Sequence, residues 1–97
     1  MPKYVTLINW TDQGVRNYKD SVDRYEAVQR AASGQGVRFT EIYWTLGQYD
    51  LVGIVEAPDD ETLTATLLTA GAAGNVRTAT MRAFDIDEMR GLIEKAG

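Results

Sequence analysis

The apolar residues of the chain follow two rhythms. In four short stretches they run together or alternate, and in three others they recur at three- and four-residue steps. Lys3 to Trp10, with Tyr4, Val5, Thr6, Leu7 and Ile8, reads as a strand, and Thr11-Asp12 stops it and supplies side-chain oxygens to cap a helix. Val15, Tyr18, Val22, Tyr25, Gln29 and Ala32 then form one stripe, which predicts a helix of about six turns ended by Ser33-Gly34-Gln35-Gly36. Ser21 is a weak point at which that helix can break in two. Val37 to Leu46 and Leu51 to Val55 are strands on either side of a tight hairpin. Gly47 there stands at the first central position of a type II′ turn, which requires a positive φ. Pro58-Asp59-Asp60-Glu61 opens a second helix with a stripe of Leu63, Leu67 and Ala70 and with Leu68 beside it, closed by Gly71 or Gly74. Val76 to Phe84 is the fourth strand. Asp85 and Glu88 have capping-box spacing before a short terminal helix with Ile86, Met89, Leu92 and Ile93 on its apolar side.

The order β-α-β-β-α-β plus a terminal helix predicts an α+β, ferredoxin-like fold. It is a four-stranded antiparallel sheet with both main helices on one face, built as a single domain over residues 1–97. The strands place apolar residues on both sides, Val5 and Leu7 against Tyr4, Ile8 and Trp10, and Phe39 and Tyr43 against Ile42 and Trp44. The face without helices covers roughly 300 Å² in projection and calls for a cover. The expected cover is a second copy, in a twofold dimer that packs sheet face to sheet face and buries more than about 1,000 Å² in total.

Composition narrows the chemistry. Ten Lys and Arg against 14 Asp and Glu give a net charge of −4, with the basic residues scattered among acids, which argues against nucleic acid or an anionic membrane as partner. No stretch reads as a signal peptide or membrane span, and there is no cysteine for a disulfide framework, so the expected location is cytoplasmic. The absence of both histidine and cysteine excludes Ser-His and Cys-His catalysis, thiolate chemistry, histidine-ligated haem and Cys/His zinc sites. The acids are spread over helix starts and exposed faces, so no metal site is expected, and no cofactor.

Parallel first and second strands, opposed by the third and fourth, bring Trp10, Trp44, Tyr49-Asp50 and Asn75-Val76-Arg77 to one edge of the sheet. Trp10, Trp44, Gly47, Tyr49, Asp50 and Arg77 are therefore the candidate ligand-binding residues. Four of them have a structural alternative: hairpin stabilisation or an ion pair with Arg77 or Arg16 for Asp50, packing for Tyr49 and Trp44, and a salt bridge for Arg77. Gly34-Gln35-Gly36 follows a helix, and Gly71-Ala72-Ala73-Gly74 lacks a lysine, so both read as helix caps and not as phosphate loops.

Tyr43-Trp44-Thr45-Leu46-Gly47-Gln48-Tyr49-Asp50, followed by Glu56-Ala57-Pro58-Asp59-Asp60 and Gly74-Asn75-Val76-Arg77-Thr78, resembles the GYD family, small domains named for that Gly-x-Tyr-Asp hairpin. The similarity runs from Tyr4 to about Met89, departing at Val22, where relatives often carry proline. It implies a dimeric α+β barrel and says little about chemistry. By analogy of fold alone, two roles are expected. The first is a non-enzymatic, homodimeric small-molecule-binding or assembly module, like the effector-binding domains of leucine-responsive regulators, in which the Gly47-Gln48 turn offers N–H groups to a carboxylate. The alternative is a cofactor-independent monooxygenase or isomerase acting on a small aromatic compound. Its dry pocket would need Asn9, Trp10, Tyr43 and Trp44, with a lone Asp or Tyr as base.

Overall fold

The computed structural model describes all residues, 1–97. Four strands, β1 (Lys3–Trp10), β2 (Arg38–Trp44), β3 (Leu51–Glu56) and β4 (Val76–Ala83), form one antiparallel sheet in the order β2-β3-β1-β4. With helices α2 (Ser21–Ser33) and α3 (Asp60–Ala72) on one side, this is the expected ferredoxin-like arrangement. A five-residue helix α1 (Asp12–Arg16) precedes α2, and α4 (Ile86–Ala96) ends the chain. The body is only 18 Å through its thinnest direction, about one sheet and one helix layer.

β1 is bonded along both edges, from Lys3↔Glu56 to Ile8↔Leu51 on one side and from Lys3↔Ala83 to Trp10↔Val76 on the other. Its alternation assigns the two faces. Tyr4, Thr6 and Ile8 are buried towards the helices, and Val5, Leu7 and Asn9, which face away, are half-buried. The buried cluster of Tyr4, Ala32, Val37, Phe39, Val55, Ala57 and Leu63 gathers towards the Lys3 end of β1, with Tyr25, Val28 and Leu67 packed on it. Phe39 belongs to this cluster and not, as strict alternation along β2 would have it, to the face of Tyr43. A bulge between Phe39 and Glu41 adds one residue, so Phe39 faces Val55 while Ile42 faces Gly53, both on the helix side.

The caps follow the sequence. Thr11 accepts from the Gly14 N–H, Asp59 from Thr62 N–H at 2.7 Å, and Asp85 and Glu88 form a reciprocal capping box; Gly74, at φ +87°, follows α3. The long first helix is not continuous. It breaks at Asn17, and a single 3-10 turn, Tyr18–Asp20, leads into α2, so the break falls just ahead of Ser21. Arg24 ties the break together by donating to the carbonyls of Asn17 and Gly14. This change of direction leaves Val15, Tyr18 and Val22 exposed, and Ser21, Tyr25, Val28 and Ala32 face the sheet instead. Leu68 is likewise exposed. Gly14 is buried where α1 meets the loop before β4; a Cβ there would stand 2.0 Å from the Asn75 carbonyl oxygen.

α3 is tied to β1 by Tyr4, whose hydroxyl donates to Asp60 Oδ1 at 2.5 Å. The bond to Asp60, and burial, push the Tyr4 hydroxyl up from 10.0 to about 12. A raised folded-state pKa means that the folded state holds the proton more tightly, so this contribution is intact below pH 10 and is lost as pH rises towards 12. Tyr4→Phe is expected to be less stable than the wild type at neutral pH. In urea unfolding at stepped pH the gap should close between pH 10 and 12; a gap independent of pH would contradict the assignment.

Candidate functional site

The edge where β1 and β2 end and β3 and β4 begin does gather the backbone of the aromatic and polar candidates. Trp10 lies opposite Val76, Trp44 opposite Leu51, and the Thr11 N–H donates to the Asn75 carbonyl. Their side chains go to three different places. Trp10 lines the helix side of the sheet. Trp44 turns to α2, where its indole N–H donates to the buried Ser21 hydroxyl at 2.9 Å and its ring meets Tyr25 edge-on at 6.0 Å. Arg77, paired with Asn9 across the ladder, is exposed on the other face.

The hairpin is wider than a two-residue turn. β2 ends at Trp44 and β3 starts at Leu51, and the loop is closed by the Thr45 N–H to the Asp50 carbonyl at 2.8 Å and by the Thr45 hydroxyl to the Tyr49 carbonyl. Gly47 has φ +120°, in the region glycine favours, and it and Leu46 project into solvent at the tip. Tyr49 is half-buried.

Asp50 extends the β3–β1 ladder. Its N–H donates to the Ile8 carbonyl at 2.9 Å, and its carboxylate Oδ2 accepts the Trp10 N–H at 2.9 Å. It satisfies the last amide of β1 and sets where that strand stops. No group of acids or other ligating side chains converges to hold a metal ion.

On the helix side an open, largely apolar cleft of about 390 Å³ lies between α2 and α3, over the Trp10 end of the sheet. Ile8, Trp10, Leu51 and Val76 line its sheet side, and Tyr25 and Leu67 its helix side. It is the concave site in the molecule best able to enclose a small molecule. Of the candidate residues only Trp10 lines it. Sequence reasoning passed over the rest of the cleft because its signal is the small size of Ala27, Ala31, Ala70 and Ala73, which read as ordinary helix formers.

On the opposite side, Val5, Leu7, Val52, Ile54, Ala79, Met81 and Tyr43 occupy the sheet face that no helix covers; Met81 is 51 % and Tyr43 55 % exposed. The rim of this face alternates in charge through Lys3, Glu56, Arg38 and Glu41. α4 leaves from this end of the molecule. Its ties to the body are ion pairs of Lys3 with Asp85 at 3.0 Å and with Glu88 at 3.5 Å, and of Arg82 with Glu88 at 3.9 Å. The capping bond from the Glu88 N–H, and then the contact with Lys3, hold the Asp85 carboxyl below the usual range, and the same Asp85 contact raises Lys3. Beyond this first turn, no residue of α4 is buried, and Ile86, Met89, Leu92 and Ile93 are all exposed.

The sequence profile of the GYD domain matches residues 4–93. The chain belongs to the GYD domain family. A curated GYD relative, 32% identical over 90 residues, covers 92% of this chain and 95% of its own length; it is the glutamine synthetase and cystathionine beta-lyase binding protein of Thermus thermophilus. Among solved structures, a protein from Thermus thermophilus is similar at 26% identity and a TM-score of 0.55, over 88% of this chain and 95% of that one. The fold is also shared by the feast or famine regulatory protein from M. tuberculosis, solved with L-methionine, at 18% identity and a TM-score of 0.66. This GYD chain aligns to about half of that regulator, 51% of its length. No helix of the protein is long and apolar enough to cross a membrane.

Replacing Asp50 tests its structural role. Asp50→Ala leaves the Trp10 N–H without its acceptor and is expected to lower stability by about 1–3 kcal/mol, with Asp50→Asn retaining an oxygen acceptor and losing less. Urea unfolding midpoints check this, and equal stability of all three proteins would place Asp50 outside the fold's support.

Proposed function

We propose that this GYD protein is a non-enzymatic, homodimeric binding module that docks onto other proteins. The observation that carries this reading is the amount of apolar surface left uncovered, on the open sheet face and along α4, while every buried side-chain polar atom has a partner. The sheet face suits a second copy. Its rim alternates in sign, so a twofold axis can set Arg38 of one protomer against Glu41 or Glu56 of the other. α4 suits a different protein, because an amphipathic helix anchored only at its first turn can lay Met89 and Ile93 into a groove. The relative named for binding glutamine synthetase and cystathionine beta-lyase supports enzymes of these two kinds as partners for this chain. The oxygenase alternative gains no support from Asp50, which is engaged by a backbone amide.

Sedimentation tests the first half. The wild type is expected to run at twice the chain mass of 10.7 kDa, and Met81→Glu, which places a carboxylate in the apolar face, at the single mass. A wild-type monomer at micromolar concentration would overturn the dimer. Titration of the wild type against purified glutamine synthetase and cystathionine beta-lyase from its own host tests the second half. Binding of at least one enzyme is expected, weakened about tenfold or more by Ile93→Asp, and failure to bind either overturns the docking role.

A further inference from the structure

The two helices carry their bulk to one end of the sheet. Tyr25, Val28, Leu63 and Leu67 pack on the Tyr4–Val55 cluster, which Ile8 and Leu51 do not join. Between the helices the cleft is lined by the short side chains of Ala27 and Ala31 from α2 and of Thr66 and Ala70 from α3. The cleft of about 390 Å³ follows from that choice of residues. Protein interiors otherwise fill such gaps, since apolar walls without neighbours lose their dispersion contacts. Its size lies within the range that encloses a small ligand.

Its polarity defines the ligand. The charged side chain in its lining is that of Arg24, and that guanidinium is committed to the Asn17 and Gly14 carbonyls at 2.6 and 3.1 Å. An ionic ligand would therefore be desolvated without a free counter-charge. Several uncharged donors of lining residues, among them the Trp10 indole N–H and the side-chain amides of Gln35 and Asn75, have no partner within the protein, and the rings of Trp10, Tyr25 and Phe39 supply flat apolar walls. We infer that the cleft between α2, α3 and the Trp10 end of the sheet is a binding site for a neutral, predominantly apolar, ring-bearing small molecule. The site opens on the helix side, so a second copy on the opposite sheet face leaves it accessible. It does not depend on the docking of other proteins.

The test is a fluorescence titration of the full chain with 1-aminoanthracene, an uncharged three-ring probe, set against anthracene-2-carboxylate, its anionic counterpart of similar size. The neutral probe is expected to bind with quenching of tryptophan emission, and the anion at least about tenfold more weakly. Ala70→Phe from α3 and Ala31→Phe from α2, each confirmed folded by circular dichroism, fill the cleft from opposite sides and are each expected to weaken the neutral probe by about tenfold or more. Leu46→Ser at the exposed hairpin tip is expected to leave its affinity unchanged. Equal binding of the two probes, undiminished binding by the folded filling variants, or loss of binding in Leu46→Ser would each overturn the assignment. The comparison of the two probes on the wild type decides the matter even if neither filling variant folds.

Discussion

A single four-stranded sheet has two faces, and the two 13-residue helices of this chain lie on one of them. β1 makes the constraint inescapable. It is bonded on both edges, so neither edge can be used to relieve exposure, and its side chains must alternate between the two sides. Tyr4, Thr6 and Ile8 meet the helices. Val5 and Leu7 are left on the far side, joined there by Val52, Ile54 and Met81 from the neighbouring strands. A sheet with one solvated face would carry polar residues at these positions. The apolar ones leave that face without a cover from within the chain.

The helix layer is also incomplete, for a different reason. Its large side chains cluster at the Tyr4 end, where the Tyr4–Asp60 bond pins α3 to β1, and small ones lie over the Trp10 end. The two ends thus divide the work: one holds the layers together and the other holds them apart. The Trp44–Ser21 bond and the edge-on contact of Trp44 with Tyr25 fix α2 beside the cleft, so the gap has a supported wall. α4 shares this division at a larger scale, anchored by Asp85 and Glu88 and free along the rest of its length.

Much of this was legible in the sequence because local chemistry and tertiary demand agreed. Asp59, Asp85, Glu88 and Thr11 cap the helices that their positions announce, and the four strands and their order follow from period and topology. Three features were hidden. The bulge between Phe39 and Glu41 adds one residue with no mark in composition, and that residue moves Phe39 to the opposite face. The helix break falls at Asn17 because Arg24, seven residues on, recaptures its carbonyl, a contact that no periodicity reveals. The hairpin opens to six residues, closed by the Thr45–Asp50 bond, where the Gly47-Gln48 dipeptide suggests a two-residue turn. Within the candidate site the backbone gathering was readable from topology. The side chains' separation among cleft, open face and loop tip was not, since it depends on which face each register position presents.

If a second copy of the chain covers the open sheet face, as proposed, hydroxyl-radical footprinting would register that burial at single side chains. Met81 and Met1 have similar exposure in the single chain, 51 % and 63 %, so they would oxidise at similar rates if the face were bare. Modification of Met81 several-fold slower than Met1, with Tyr43 protected alongside it, is expected of the dimer. Equal rates at the two methionines, in a preparation with native circular dichroism, would mean that the face is bare.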